Sequence, residues 1–332
     1  LNPRIAQHLR YELGRLHDRA GDPGMAWLHS KEANRLAADG WRAYQLDGER
    51  LGRRLKALRV FYSDTDFSKW PPAPPEDDTP PVFLVGFPAA GTEFIAEVLS
   101  VHPGLQVLDE APTLSAIEQD LASLPEGYPA AIASLAGDEL AAKRARYRQL
   151  ASQVVKRNPE AQLVEHHPMR AIHVGLILRL FPAARFIYVQ RHPADLCIAN
   201  FMQNYALNDT NAQFLDLAAT AATLVDVWET WQSGAKALQP ATHVVRFEAL
   251  AADAEAEMAA VLDFLDLEKD GSTDAFLTEV RAGERVTRSS YRQLADPLDP
   301  HMSGRWRDYR RELSQYMDKL MPLAQAQGYD FD

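Results

Sequence analysis

The run Val85–Phe94, VGFPAAGTEF, has residue types that suit the binding of an anion. Before it, Phe83-Leu84-Val85 is apolar enough for a buried parallel strand, and after it Phe94 to Leu99 carries the apolar spacing of a helix. A strand that turns through glycine into a helix N-terminus aims several backbone N–H groups at one spot. Gly91 and Thr92 stand where turn becomes helix, and Glu93 follows. Pointed at solvent, the Glu93 carboxylate favours the helix dipole. Pointed into the turn, it repels an anion about 4 Å away by about 4 kcal/mol at an effective dielectric of ~20. Further along, Arg191 closes the apolar run ARFIYVQ with a guanidinium able to hold phosphate through two parallel hydrogen bonds. The competing use of Arg191 is an ion pair with Asp195 at the strand–helix junction. Asp109-Glu110 precede a helical run, where they either cap that helix or meet a hydroxyl whose proton a carboxylate can take.

Strands alternating with helices imply a mostly parallel sheet in an α/β domain, the frame that positions these groups. Further strands are expected at Ala161–Glu165, Ala184–Gln190 and Thr242–Phe247. Helices are expected at Asp109–Leu124, Tyr128–Arg157, Ala171–Phe181, 213–238 and Ala254–Leu267. Upstream, residues 5–39 read as two helices broken at Ala20-Gly21-Asp22-Pro23, and Trp41–Phe67 continues as basic amphipathic helix and connector. The spacing of Leu13-Gly14, Ala26 and Ala33 resembles one tetratricopeptide (TPR) repeat, which cannot bury its own apolar face and must dock on something. Trp70–Pro81, WPPAPPEDDTPP, is too rich in proline for helix and favours an extended strap. The expected organisation is a helical TPR-like region at 1–70, a proline-rich linker at 71–81 and an α/β domain at 82–332.

The 332 residues, 46% hydrophobic and 24% charged, are those of an ordinary globular protein with room for a substantial core. No window approaches the apolar length of a membrane helix, and no secretory leader is visible. Cys197 is the single cysteine, so no intrachain disulfide forms, which is compatible with a cytoplasmic setting. A net charge of −11 argues against a general nucleic-acid binder. Against it, Arg281–Arg311 holds eight arginines and four acids, a reversal of sign that suits an anionic ligand or a solvated helical face.

The loop resembles the phosphosulfate loop of sulfotransferases that use 3′-phosphoadenosine 5′-phosphosulfate (PAPS). That family usually reads PRSGTT, where this chain has Pro88-Ala89-Ala90-Gly91-Thr92-Glu93. Arg191, Pro193 and Asp195 resemble the family's Arg-x-Pro-x-Asp, whose arginine holds the donor's 3′-phosphate together with a serine; the serine position here is Ala199. Leu163–Val189 resembles the segment Asp-Lys-x-Pro-x-Asn and the Phe-Pro-x-Ala-Arg that follows. Pro168, Gly175, Phe181-Pro182 and Ala184-Arg185 fit, while Glu165, His166 and Arg170 replace the aspartate, lysine and asparagine. Histidine there carries a charge only when protonated, so its electrostatic role becomes pH-dependent. Glu110 matches a glutamate that serves as general base in some relatives. HVVRFE resembles a strand ending in Tyr-Glu, with Phe247 in place of the tyrosine that lies against adenine, unless it is simply core. Val286–Tyr291 and His301–Tyr309 resemble the loop that closes over the donor, giving Arg288, Ser303 and Arg305 as donor-facing groups and Trp306 as a packing anchor.

The resemblance covers about residues 81–332 and implies an α/β sulfotransferase fold, a P-loop-like parallel sheet flanked by helices. It implies transfer of a sulfuryl group from PAPS to a hydroxyl or amine acceptor, small molecule or peptide. Donor contacts are changed at Ala89, Ala90, Glu93, His166 and Ala199. One lost charged hydrogen bond costs about 1.5–3 kcal/mol. With Glu93 facing inward, donor binding weakens by on the order of three to five powers of ten. Three readings stand: a sulfotransferase with an atypical donor site, a silent relative that binds a metabolite or a protein partner through its TPR-like N-terminus, or the fold reused for chemistry around Glu93, His166 and Glu110. In the third, Glu93 and His166 form a close pair, an ion pair before a metal site. The expected catalytic residues are Glu110, His166 and Glu93. Those expected to bind the donor are Gly91, Thr92, Arg191, Phe247, Arg288, Ser303 and Arg305.

Overall fold

Val82–Val85 (β1) is buried along its whole length, as a central parallel strand with both faces covered must be. In a computed structural model, which describes residues 2–43, 47–75, 79–282 and 302–331, it lies at the middle of a five-stranded sheet. The other strands are Leu105–Asp109 (β2), Gln162–His166 (β3), Arg185–Gln190 (β4) and Ala241–Arg246 (β5), in the order β2-β3-β1-β4-β5. Every pairing is parallel, as the alternation of strand and helix requires. The P-loop-like parallel sheet flanked by helices is therefore the observed architecture. β2 was not legible as a strand: Gln106 and Asp109 break its apolar run, and it lies at the sheet edge, where one face need not be buried. The segment expected to be helical from Asp109 instead finishes β2 there, and its helix begins at Thr113.

The chain divides into two compact units. One comprises Ala57–Arg191 and Glu229–Pro300 and holds the sheet; the other comprises Leu1–Lys56, His192–Trp228 and His301–Asp332. The helices in chain order are α1 (Pro3–Arg19), α2 (Pro23–Ala43), α3 (Arg50–Asp64), α4 (Thr92–Ser100), α5 (Thr113–Ala122), α6 (Gly137–Val154) and α7 (Val174–Leu180). They continue with α8 (Pro193–Phe201), α9 (Leu217–Leu238), α10 (Phe247–Ala252), α11 (Ala254–Phe264), α12 (Ser272–Arg281), α13 (Arg310–Leu313) and α14 (Met317–Ala326).

In the sheet unit, Phe83 of β1 packs on Phe186 of β4 at 5.7 Å between ring centroids, and Phe181 packs edge-on against Tyr147 of α6 at 4.9 Å. Tyr62 is held from both sides: its hydroxyl donates to the Ile172 carbonyl at 2.8 Å and accepts from the Gly175 amide at 3.1 Å. The proline-rich strap lacks helix and strand over its described residues. Arg179 donates to the Pro71 carbonyl at 2.7 Å and Arg144 to the Pro74 carbonyl at 2.7 Å, two buried guanidiniums serving main-chain oxygens that proline-rich chain cannot pair with itself.

In the helical unit, α1 and α2 form an antiparallel hairpin whose close approach needs Gly14, where a Cβ would lie 2.7 Å from the Ser30 hydroxyl. The hairpin docks within its own unit. Asn34 donates to the Phe201 carbonyl at 2.9 Å, and Trp27 stacks on Phe201 at 4.5 Å.

A Cβ on Gly234 would fall 2.3 Å from Val174 and 3.1 Å from the Tyr62 ring. We expect Gly234→Ala to lose about 1–3 kcal/mol of unfolding free energy in a denaturant titration. An unchanged midpoint would mean that the Tyr62 slot is loosely packed.

Candidate functional site

β1 ends at Val85, and the chain turns at once. The Gly86 amide donates to the Pro168 carbonyl at 3.1 Å, and a Cβ at Gly86 would meet the Val189 carbonyl at 2.8 Å, so the loop starts pressed between β3 and β4. Two loop residues are left-handed, Ala89 at φ +64° and Gly91 at φ +101°. The alternating hand turns successive N–H groups toward one side, the arrangement of an anion-binding nest. At Ala89 it costs roughly 1–2 kcal/mol, strain held at a site rather than relieved with glycine. α4 then begins at Thr92, whose side chain is wholly buried and whose Oγ1 has no hydrogen-bond partner. A buried hydroxyl left unpaired at a helix N-terminus calls for a ligand.

Arg191 ends β4 just beyond Gln190 and is only 2% exposed. It donates to the Ala89 carbonyl at 2.9 Å, and its guanidinium lies 4.3 Å from the centre of the Phe247 ring. Phe247 opens α10 and presses on Gly91, where a Cβ would come within 2.8 Å of its ring. Glycine is thus required at 91 for both hand and space. Asp195 accepts from the Gly304 and Trp306 amides at 2.7 Å each. Ser303 lies half-buried in the turn before the short Arg305–Tyr309 helix. Arg305 forms an ion pair with Asp18 at 3.0 Å, and the Tyr309 hydroxyl donates to the same carboxylate. Arg288 lies outside the described residues.

β3 delivers His166 directly opposite Asp109 of β2, in register, and Nδ1 meets the Asp109 carboxylate at 2.7 Å. The expected pair of His166 with Glu93 does not form. Glu93 sits half-buried in the first turn of α4 with no hydrogen bond or ion pair to the imidazole, and the strand register gives Asp109 the nearer place. His166 is 1% exposed, and its Nε2 has no partner. With Nδ1–H donated to Asp109, Nε2 accepts in the neutral ring and donates in the protonated one. Glu110 follows at φ +43°, its amide donating to the His166 carbonyl at 2.9 Å. Its carboxyl pKa is raised, first by partial desolvation and then by the Asp109 charge, with Glu93 adding and His166 and Arg170 opposing. Next to it, burial drives the His167 imidazole down to about 3, with Arg170 and His166 pushing the same way, so it is neutral at ordinary pH.

Glu165 and Arg170, two substituted positions, form one buried ion pair at 3.0 Å. Arg170 also donates to the Ser115 hydroxyl at 3.1 Å and the Ala111 carbonyl at 3.0 Å, while Glu165 accepts from the Thr113 hydroxyl at 2.8 Å. The pair thereby ties β3 to the segment just after Glu110. Sequence reasoning marked these positions as replacements of the family's aspartate and asparagine and missed the pair; the opposite signs five residues apart were the available signal. Removing one partner strands a buried charge, so Arg170→Met should lose about 3–5 kcal/mol of stability, and Glu165→Leu in the same chain should recover most of it. Additive losses in the double variant, measured by denaturation, would mean the two groups do not act as a pair.

The chain is 26% identical over 252 residues to an uncharacterized protein of Aquifex aeolicus (strain VF5), a match covering 72% of this chain and 32% of that one. It therefore spans about a third of the length of this curated relative. Among solved structures, a sulfotransferase domain from the curacin biosynthetic pathway is 15% identical with a TM-score of 0.48, covering 77% of this chain and 100% of that domain. A mouse sulfotransferase complexed with PAP is 15% identical with a TM-score of 0.40, covering 80% and 89%. A model described as the sulfotransferase family matches residues 80–271, more than half of the sequence, from the strand before the loop to the start of α12. On that match the chain belongs to the sulfotransferase family.

Proposed function

We propose that the protein transfers a sulfuryl group from a nucleotide phosphosulfate of the PAPS class to a hydroxyl or amine acceptor, through an atypical donor site. The observation that carries this reading is the buried, unpaired Thr92 hydroxyl at the start of α4, behind a loop with two left-handed residues. When bound, the donor supplies the sulfuryl group. The amides of residues 91–93 and the Thr92 hydroxyl hold its phosphosulfate end, the Ala90 amide being donated to the Phe87 carbonyl at 3.0 Å. They supply hydrogen bonds but no fixed cation, since Ala89 and Ala90 stand where the family has arginine and serine. Glu110 takes the acceptor's proton, and His166, held by Asp109, turns Nε2 to the same reaction as a second polar contact.

The test is sulfuryl transfer followed as nucleotide release with PAPS and a panel of hydroxyl and amine acceptors. Glu110→Gln should lower kcat by about two to four powers of ten. The working form of Glu110 is the ionised one, present above its raised pKa and lost as pH falls through it. The acid limb of the wild-type profile should therefore lie above the usual carboxylate range. Glu93→Gln removes a charge that raises this pKa and should move the limb to lower pH. An acid limb that stays in place in Glu93→Gln, or full activity in Glu110→Gln, would exclude Glu110 as the base. No acceptor-dependent release from the wild-type chain would contradict the reading as a whole.

A further inference from the structure

Three carboxylates gather at the C-terminal edge of the sheet, beside the loop that seats the donor in the proposed function. Asp109 ends β2, Glu110 follows it at φ +43°, and Glu93 stands half-buried in the first turn of α4, where the family's PRSGTT has its last threonine. The Glu110 carboxyl pKa is raised first by partial desolvation and then by the charges of Asp109 and Glu93, so both acids lie within electrostatic reach of it. Arg170, which opposes that shift, is itself paired with Glu165 at 3.0 Å, and His166 is bonded to Asp109 at 2.7 Å. With the described residues, the Glu93 and Glu110 carboxylates make neither ion pair nor side-chain hydrogen bond. Two buried polar atoms at this edge point independently to a ligand. One is Nε2 of His166, a residue 1% exposed, and the other is Oγ1 of Thr92, wholly buried and next in sequence to Glu93. Each lacks a hydrogen-bond partner that a polar group from outside would supply.

We infer that the acceptor is a primary amine, that it enters as an ammonium ion held by Glu93 and Glu110, and that the product is a sulfamate. The inference rests on the proposed sulfuryl transfer and narrows its acceptor. A hydroxyl offers one O–H to one carboxylate and leaves the repulsion between the two acids in place. An ammonium offers three N–H donors and a charge opposite to both. Its first proton passes to Glu110, which frees the nitrogen lone pair. That pair attacks the sulfur as the S–O bond to the nucleotide phosphate breaks, and the electrons of that bond leave with the nucleotide. The new N–S bond is left on a nitrogen with one proton in excess, which goes to water.

The experiment gives the full chain PAPS and acceptors paired to differ only in the reacting group: hexylamine with hexanol, 2-phenylethylamine with 2-phenylethanol, and glucosamine with glucose. Nucleotide release gives the rate, and mass spectrometry identifies the product. The amine of the best-used pair should exceed its alcohol in kcat/KM by more than about tenfold, since one charged hydrogen bond alone is worth that much. Glu93→Gln should raise KM for the amine by about tenfold and shrink the amine-to-alcohol ratio by a similar factor. A variant damaged only in its packing would lower both members of a pair alike and leave the ratio unmoved, which would overturn the role of Glu93. A wild-type ratio below about tenfold, or sulfate esters as the main products, would overturn the inference while leaving the proposed function standing. No acceptor-dependent release from any pair would overturn both. The wild-type ratio decides between these outcomes even where Glu93→Gln fails to fold.

Discussion

The buried ion pair between Glu165 and Arg170 is the contact on which the arrangement of the site depends. Two charges taken out of water are costly unless their remaining hydrogen-bonding capacity is met. Here it is met by Thr113, Ser115 and the Ala111 carbonyl, all in the segment that follows Glu110. Satisfying the pair therefore fixes where β2 ends and where α5 begins, and holds Glu110 between them in a left-handed conformation. From that point the carboxylates gather. Asp109 meets His166 across the strand register, and the pKa of Glu110 rises because it is partly desolvated and has Asp109 and Glu93 near it.

The loop after β1 depends on a second constraint, steric rather than electrostatic. Gly86 is hemmed in by the Val189 carbonyl and Gly91 by the Phe247 ring, so backbone and side chains leave the loop one path. That path keeps the amide nest and buries the Thr92 hydroxyl without a partner. Substitution has removed the charged donors while preserving the backbone donors. In the proposed function, the loop would address the phosphosulfate end of a ligand through backbone dipoles and the Thr92 hydroxyl. Arg191 braces this loop through one hydrogen bond to the Ala89 carbonyl, with its guanidinium over the Phe247 ring.

β1, β3 and β4 were legible because each is a short run buried at most of its positions, and β5 was legible from its β-branched residues although it is a largely exposed edge strand. β2 was not, since its polar residues are tolerated by an edge position that only the fold defines. The loop could be read from glycine and small residues between strand and helix, and the proline strap from composition. The partner of His166 could not be read, because it is set by register between strands whose paired residues lie 57 positions apart. Nor could the role of Arg144 and Arg179 in tying down the strap, as nothing local to either arginine points to carbonyls more than sixty residues away. Sequence types named the groups able to do chemistry, and strand register decided which of them meet.

The central claim is that the loop between β1 and α4 remains a functional seat for a nucleotide's phosphosulfate end. The most direct measurement is amide NMR of the full chain titrated with PAPS. Saturable shifts are expected at the amides of Gly91, Thr92 and Glu93 and at the ring nitrogens of His166, with the β5 amides unmoved. Shifts that avoid the loop, or none at saturating nucleotide, would contradict it.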